Sequence, residues 1–204
     1  MLLQRKSSRT RSWLIAVSLV WGIALVVGIC LLADYGAKPG SRRELQESYP
    51  LQSPFKLNGD RFALVVAIHP RCPCSEATLI ELQAIRERCG DRLVVHLLVV
   101  GADSAEEIPS WLLHRYPPDV VLRHDPKGEE ARRYGAETSG HVVLFDPSGQ
   151  CRFQGGITQA RGHAGDNLAR QRILSIIRGQ SVDVETFPVF GCRLPNSSLL
   201  EANP

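Results

Sequence analysis

The chain reads as an α/β domain, a mixed sheet flanked by helices, preceded by one N-terminal transmembrane helix. Three observations carry that reading. Short apolar runs alternate with stretches whose apolar residues recur at helical spacing. The last two extended runs are joined by Asp146-Pro147-Ser148-Gly149, a turn sequence that closes a hairpin. Residues 13–33 carry no charge and one hydroxyl, Ser18.

An apolar helix of that length spans roughly 30 Å, the hydrocarbon thickness of a bilayer. Residues 1–12 before it contain Arg5, Lys6, Arg9 and Arg11 and no acidic residue. Such a basic flank stays in the cytoplasm, which sends everything after Ala33 to the outer face, the periplasm in a cell with two membranes. A basic start and an apolar run also describe a cleaved signal peptide. This run is longer than a signal core and no clear small-x-small site precedes Asp34, so the reading is an uncleaved, single-pass signal anchor. The formal net charge is +3, but beyond those four residues the chain holds 20 basic and 21 acidic side chains. The body is near neutral and carries no nucleic-acid footprint.

Residues 34–56 mix Gly, Pro, Ser and charges and read as a linker; residues 57–180 form the domain; residues 181–204 read as an irregular tail. Within the domain, a buried strand over 62–68 leads into a helix from Ala77 to Arg88 that Gly90 ends. Continuous apolar runs such as 62–68 and 93–100 indicate strands covered on both faces. A helix follows near 105–115, with Ser104 a fitting N-cap. A short extended piece over 120–122, a small helix through Tyr134, and the hairpin strands 141–145 and 151–153 come next. The final helix runs from about Asn167 to Arg178.

Two thiols, Cys72 and Cys74, sit where the first strand turns into the first helix. Proline suits the first helical position, so in Cys72-Pro73-Cys74 the first cysteine becomes the N-cap and the second lies in the first turn. Free N–H groups and the helix dipole lower a thiol's pKa there. Cys72 is then the attacking thiolate, and Cys74 resolves the mixed disulfide it forms with a partner protein's thiols or disulfides. With a single spacer residue the Cys72–Cys74 ring is tight, and strained disulfides are more easily reduced; an oxidising or isomerase-like couple is expected. Two other readings stay open: inert or separately paired cysteines, and a copper or other metal-binding module with Cys72, Cys74 and His69 as soft ligands. Apart from copper in that alternative, no cofactor is expected. Cys30 lies in the apolar segment as a small hydrophobe. The remaining Cys72, Cys74, Cys89, Cys151 and Cys192 are odd in number, so at least one is free, exchanging or metal-bound. A structural disulfide among Cys89, Cys151 and Cys192 and an approach of Cys192 to the active site are both open.

The element order, with a dithiol ending the first core strand, resembles the thioredoxin fold, and in particular the membrane-tethered thiol-disulfide oxidoreductases of the TlpA and ResA kind, over roughly residues 57–178. Asp125-Pro126-Lys127-Gly128 through Tyr134-Gly135, and Val143-Leu144-Phe145-Asp146-Pro147-Ser148-Gly149, carry that likeness. A narrower resemblance is to RedB-type thioredoxin-like proteins, in His69-Pro70-x-Cys72-Pro73-Cys74, Thr138-Ser139-Gly140, Gly155-Gly156-Ile157-Thr158 and Arg161-Gly162-His163-x-Gly165-Asp166-Asn167. The resemblance implies a redox-active dithiol and protein substrates. Two departures stand out: Cys-x-Cys replaces Cys-x-x-Cys, and Gly140 falls where the family places a cis-proline facing the dithiol. The missing proline puts the usual presentation of backbone to a substrate in doubt and strengthens the metal alternative. His141 beside it is a candidate for proton transfer or metal ligation, or simply the start of a strand. The polar, Gly-rich loop after the hairpin should return to the end of the sheet that carries the thiols. Its Arg161, His163 and Asp166 are candidates for substrate contact or pKa control, with capping of the final helix the plainer role for Asp166.

Overall fold

Burial along the first apolar run is continuous, since Phe62–Ile68 (β1) is closed on both faces from Ala63 onward. The computed structural model describes residues 3–41, 43, 47–57, 59–102, 104, 107, 108, 110, 120–180 and 185–195. The helix expected near 105–115 lies largely outside them. After β1 come Pro73–Cys89 (α2), a 3-10 turn over Gly90–Arg92, Leu93–Val100 (β2), Val121–Asp125 (β3), Glu129–Arg133 (α3), His141–Phe145 (β4), Cys151–Gly156 (β5), Leu168–Ile177 (α4) and Glu185–Thr186 (β6). The helix Leu3–Ala37 (α1) precedes them all. Its part Arg11–Ala37 has a mean hydropathy of 2.7, which together with its length suffices to cross a membrane. The chain divides after Lys38 into this helical unit and a second unit that holds the sheet.

The sheet is mixed, with strand order β3-β2-β1-β4-β5-β6. β1, β2 and β3 run parallel, β4 is antiparallel to β1 and to β5, and β6 returns parallel to β5. Alternate residues of β1 serve opposite faces, as the pleat requires. Leu64, Val66 and Ile68 join Leu79, Leu82 and Ile85 of α2 and Ile173 and Ile177 of α4. Ala63, Val65 and Ala67 join Phe145, Ala131 and Tyr134. Pro73 opens α2 and Gly90, at φ +54, closes it. Glu76 in the first turn and Arg86 and Arg88 in the last complement the helix dipole. The hairpin turn is held by Asp146, whose Oδ1 accepts the backbone N–H groups of Ser148 and Gln150.

The flanking segments are drawn into this unit. From the lead-in, Tyr49 packs edge-on against Tyr134 and Phe145, and Phe55 stacks on His96 at 4.2 Å. From the tail, Phe187 stacks on Phe153 at 5.3 Å, and Val189, Phe190 and Leu194 are buried. β5 runs to Gly156, three residues beyond the expected end, because β6 and Phe187 pass along it. A side chain at Gly155 would stand 2.4 Å from the Phe187 carbonyl oxygen.

Candidate functional site

Cys72 is the N-cap of α2 in extended backbone, with Pro73 in the first turn. Its N–H donates to the His69 carbonyl at 3.1 Å and its carbonyl accepts Ser75 N–H at 3.0 Å, so the turn is pinned at both sides. Cys74 from α2 and Cys192 from the tail approach it, and Arg161 from the loop after β5 lies near those two thiols. Cys72 is 1% and Cys74 6% exposed.

The three thiols differ in acidity. Burial pushes Cys72 up, but it is outweighed by hydrogen bonds from the Cys192 thiol and backbone N–H, the Cys74 N–H and the Ser139 hydroxyl, which leave Cys72 below its ordinary value. The Cys192 N–H donates to the Cys72 sulfur at 3.3 Å. Burial raises Cys74, with the neighbouring Cys72 charge and the hydrogen bond given to it adding to the effect; Gly162 N–H and Arg161 work the other way. Cys192 is pushed up to about 11, by burial first and then by its hydrogen bond to Cys72 and the charges of Cys72 and Cys74. Cys72 is therefore the most acidic of the three thiols, with Cys74 and Cys192 shifted the other way.

Ser139 and Ser75, both wholly buried, tie the turn to the entry of β4. Ser139 Oγ accepts His69 N–H at 2.8 Å and lies 2.9 Å from Ser75 Oγ, while Ser75 Oγ donates to the His69 carbonyl at 2.8 Å. Gly140 is buried at φ +90 and donates its N–H to Ala67 at 2.8 Å; a side chain there would meet Thr78 Oγ1 at 2.9 Å. No cis peptide bond occurs among the described residues.

The tail takes the place alongside this loop. Ser139 N–H donates to the Cys192 carbonyl at 2.8 Å, Leu194 N–H donates to the Glu137 carbonyl at 2.9 Å, and Thr138 and Arg193 form an antiparallel bridge between them. Gly191 fits only without a side chain, since a Cβ would fall 1.9 Å from the Ser139 carbonyl oxygen. Arg161 Nη1 donates to the Gly191 carbonyl.

Of the residues singled out from sequence, Cys72, Cys74, Gly140 and Arg161 meet here. His69 flanks them: its Nδ1 accepts Arg71 N–H at 3.2 Å, and burial, with the Arg71 charge, lowers its pKa. His141 is buried in β4, where its Nε2 lies 3.3 Å from Gln154 Nε2. His163 is exposed and its N–H bonds within its own turn, to Ala160. Asp166 is exposed and ion-paired with Arg170. The cap of α4 is Asn167, whose Oδ1 accepts Arg170 N–H at 2.7 Å, so the plainer role considered for Asp166 belongs to its neighbour. Among the described residues no group of three or more His, Cys, Asp or Glu is placed to hold a metal ion, and the set Cys72, Cys74 and His69 is not assembled as one. Cys89 and Cys151 are buried on opposite faces of the sheet, which separates them, and all six cysteines are free.

Sequence reasoning left Ser139 and Ser75 out of the site and gave Cys192 only as an open approach. The one signal for Cys192 was an odd thiol count.

No family model matches the chain, and no curated protein does. Solved structures do share its fold. A hypothetical protein from Sinorhizobium meliloti 1021 is 16% identical, with 79% of this chain and 100% of that chain covered at a TM-score of 0.62. An uncharacterized conserved protein from Geobacillus kaustophilus is 15% identical over 78% of this chain and 91% of that chain, at 0.57. A thioredoxin-like protein solved in its oxidised form is 14% identical over 68% of this chain and 100% of that chain, at 0.50. The architecture is thus thioredoxin-like.

Proposed function

We propose that this chain is a membrane-tethered, extracytoplasmic thiol-disulfide oxidoreductase of the TlpA and ResA kind, nearest the RedB-type proteins, exchanging through Cys72-Pro73-Cys74. The observation that carries this reading is the asymmetry of the thiols. Cys72 sits at a helix N-cap with hydrogen-bond donors converging on its sulfur, while Cys74 keeps its proton one residue further on. A stabilised thiolate beside a protonated second thiol is what two-step exchange requires. Cys72 thiolate attacks one sulfur of a partner disulfide, the partner's other sulfur leaves as thiolate, and Cys74 displaces the partner by attacking Cys72. Two electrons pass to the partner and the chain is left oxidised. In the opposite direction the same steps oxidise a partner dithiol.

The apolar helix Arg11–Ala37, behind a basic flank, supports an anchor with the sheet-bearing unit outside. Disulfides persist in that compartment, where the redox state of such a site carries meaning.

The test uses the full chain in detergent micelles, in metal-free buffer. Reduced protein incubated with oxidised glutathione should lose two titratable thiols and regain them with dithiothreitol, and Cys72→Ser should abolish that exchange. Wild-type protein that consumes no glutathione disulfide, or a Cys72→Ser variant that exchanges at the wild-type rate, sinks the proposal. In intact spheroplasts, protease added from outside should degrade the sheet-bearing unit.

A further inference from the structure

The nucleophile of the proposed exchange is closed to any large partner. At 1% exposure, Cys72 has no open path for in-line attack on or by a protein disulfide, which needs three sulfurs nearly collinear. This chain's own tail lies against it. The segment lies antiparallel along residues 137–139, bonded backbone to backbone at Ser139 and Leu194, as an extended peptide adds itself to an exposed strand. Its cysteine falls at the position where it meets the buried thiol: Cys192 N–H donates to Cys72 Sγ at 3.3 Å, and the residue is only partly buried. Gly191 before it is the residue type this approach demands. The tail is fixed there by burial of Val189, Phe190 and Leu194 and by Arg161 on the Gly191 carbonyl.

From this arrangement we infer that Cys192 is the thiol that pairs with Cys72, the Cys72–Cys192 disulfide being the oxidised form of the site and Cys192 the sulfur that faces partner dithiols. The inference rests on the exchange reading above and moves the resolving role from Cys74 to the tail. A partner thiolate attacks Cys192 Sγ. The Cys72–Cys192 bond breaks and its electron pair leaves on Cys72, where Ser139, the Cys74 N–H and the Cys192 N–H receive the charge. The partner's second thiolate then attacks its own sulfur in the mixed disulfide and releases Cys192 as thiolate, which takes up a proton. The partner ends as a disulfide, the chain as two thiols, and two electrons have passed inward. A second disulfide compound, reduced in turn to two thiols, restores the Cys72–Cys192 bond. Cys74 remains below, protonated, with Gly162 and Arg161 beside it.

Trypsin separates the relevant sulfurs, since cleavage after Arg71, Arg86, Arg178 and Arg193 yields peptide 72–86 with Cys72 and Cys74 and peptide 179–193 with Cys192. The full chain in detergent is oxidised with glutathione disulfide, blocked with N-ethylmaleimide, digested and mapped without reductant. The expected main product is peptide 72–86 joined to peptide 179–193, retained in Cys74→Ser and lost in Cys192→Ser. An internal disulfide within peptide 72–86 of wild type, with Cys192 fully alkylated, overturns the inference and leaves the exchange reading standing. Full alkylation of all three cysteines in wild type means that no exchange takes place, and both fall together. In the wild type, fragmentation of the linked peptide should place N-ethylmaleimide on Cys74; N-ethylmaleimide on Cys72 instead overturns the inference, so a misfolded variant leaves the decision intact.

Discussion

Ser139 Oγ has no solvent to fall back on, and three groups compete for it. It accepts the His69 N–H, faces the Ser75 hydroxyl and reaches the Cys72 sulfur. Removing it withdraws one of the donors that hold Cys72 below its ordinary value and strands a backbone N–H in a buried turn. Ser139→Ala should therefore raise the pH at which Cys72 becomes reactive toward a small alkylating agent, read as the midpoint of rate against pH in the wild-type and variant chains. It should also cost about 1–3 kcal/mol of stability, the usual penalty for a buried donor left without its acceptor. An unchanged midpoint would assign the acidity of Cys72 to the helix N-terminus and Cys192 alone. Neither Ser139 nor Ser75 is singled out as a site residue by the sequence, because a serine in a turn or in the first turn of a helix ordinarily faces water, and only the packed structure shows that these two do not.

At the scale of elements, two devices hold the loop and the tail over the site. The first is Glu81 of α2, buried to 1% exposure, whose carboxylate accepts Gly165 N–H at 2.6 Å, Asn167 Nδ2 at 3.0 Å and Arg170 Nη1 at 2.7 Å. It ties α2, the loop after β5 and the start of α4 together. Glu81→Ala leaves the mostly buried Arg170 charge with only the exposed Asp166 as its partner, strands the Gly165 N–H, and should cost about 3–5 kcal/mol in denaturant unfolding. The second device is the glycine pair of β5. Gly155 lies at φ +146 and Gly156 beside it, and backbone from the tail passes close over both. Gly155→Ala would collide with Phe187 and adopt strained backbone, and should lift the tail at a cost of about 1–3 kcal/mol. Local opening of that size corresponds to roughly a tenfold faster alkylation of Cys72. A variant destabilised to this extent whose Cys72 alkylates no faster would mean that the tail does not guard the thiol. Both devices escape sequence reading for a physical reason. A glutamate at helical spacing looks like a solvated position, and two glycines after a strand look like the start of a loop. By contrast β1, β2 and β4 were legible to the residue, since their apolar runs are dictated by burial on both faces. The hairpin turn was legible from Asp146 to Gly149. The tail gave no periodicity because Val189, Phe190 and Leu194 are buried along an irregular path.

Across the whole domain, one side chain that no functional reading requires makes a large contribution to the response to acid. His96 lies within β2 at 4% exposure, stacked on Phe55 from the lead-in, and neither ring nitrogen has a hydrogen-bond partner among the described residues. Burial lowers its pKa to about 4 from the ordinary 6.5. The unfolded chain therefore binds a proton on His96 between these two values that the folded chain does not, and stability must fall as pH drops through that window. The contribution is present in full above pH 6.5. At about 1.4 kcal/mol per pH unit the loss reaches roughly 3 kcal/mol near pH 4. Glu130 acts with the opposite sign, since burial raises its carboxyl and its proton favours the folded state as pH falls. The comparison that isolates His96 is therefore between two chains rather than along one curve. His96→Phe keeps the stacking on Phe55 and removes the titration. Denaturant unfolding of the full chain in detergent, followed by circular dichroism from pH 7 to pH 4.5, should show the wild type losing stability steeply and the variant retaining most of it. Parallel pH profiles for the two would place the acid sensitivity in the carboxylates, and the lead-in segment would then be packed on the sheet without bearing on its response to pH.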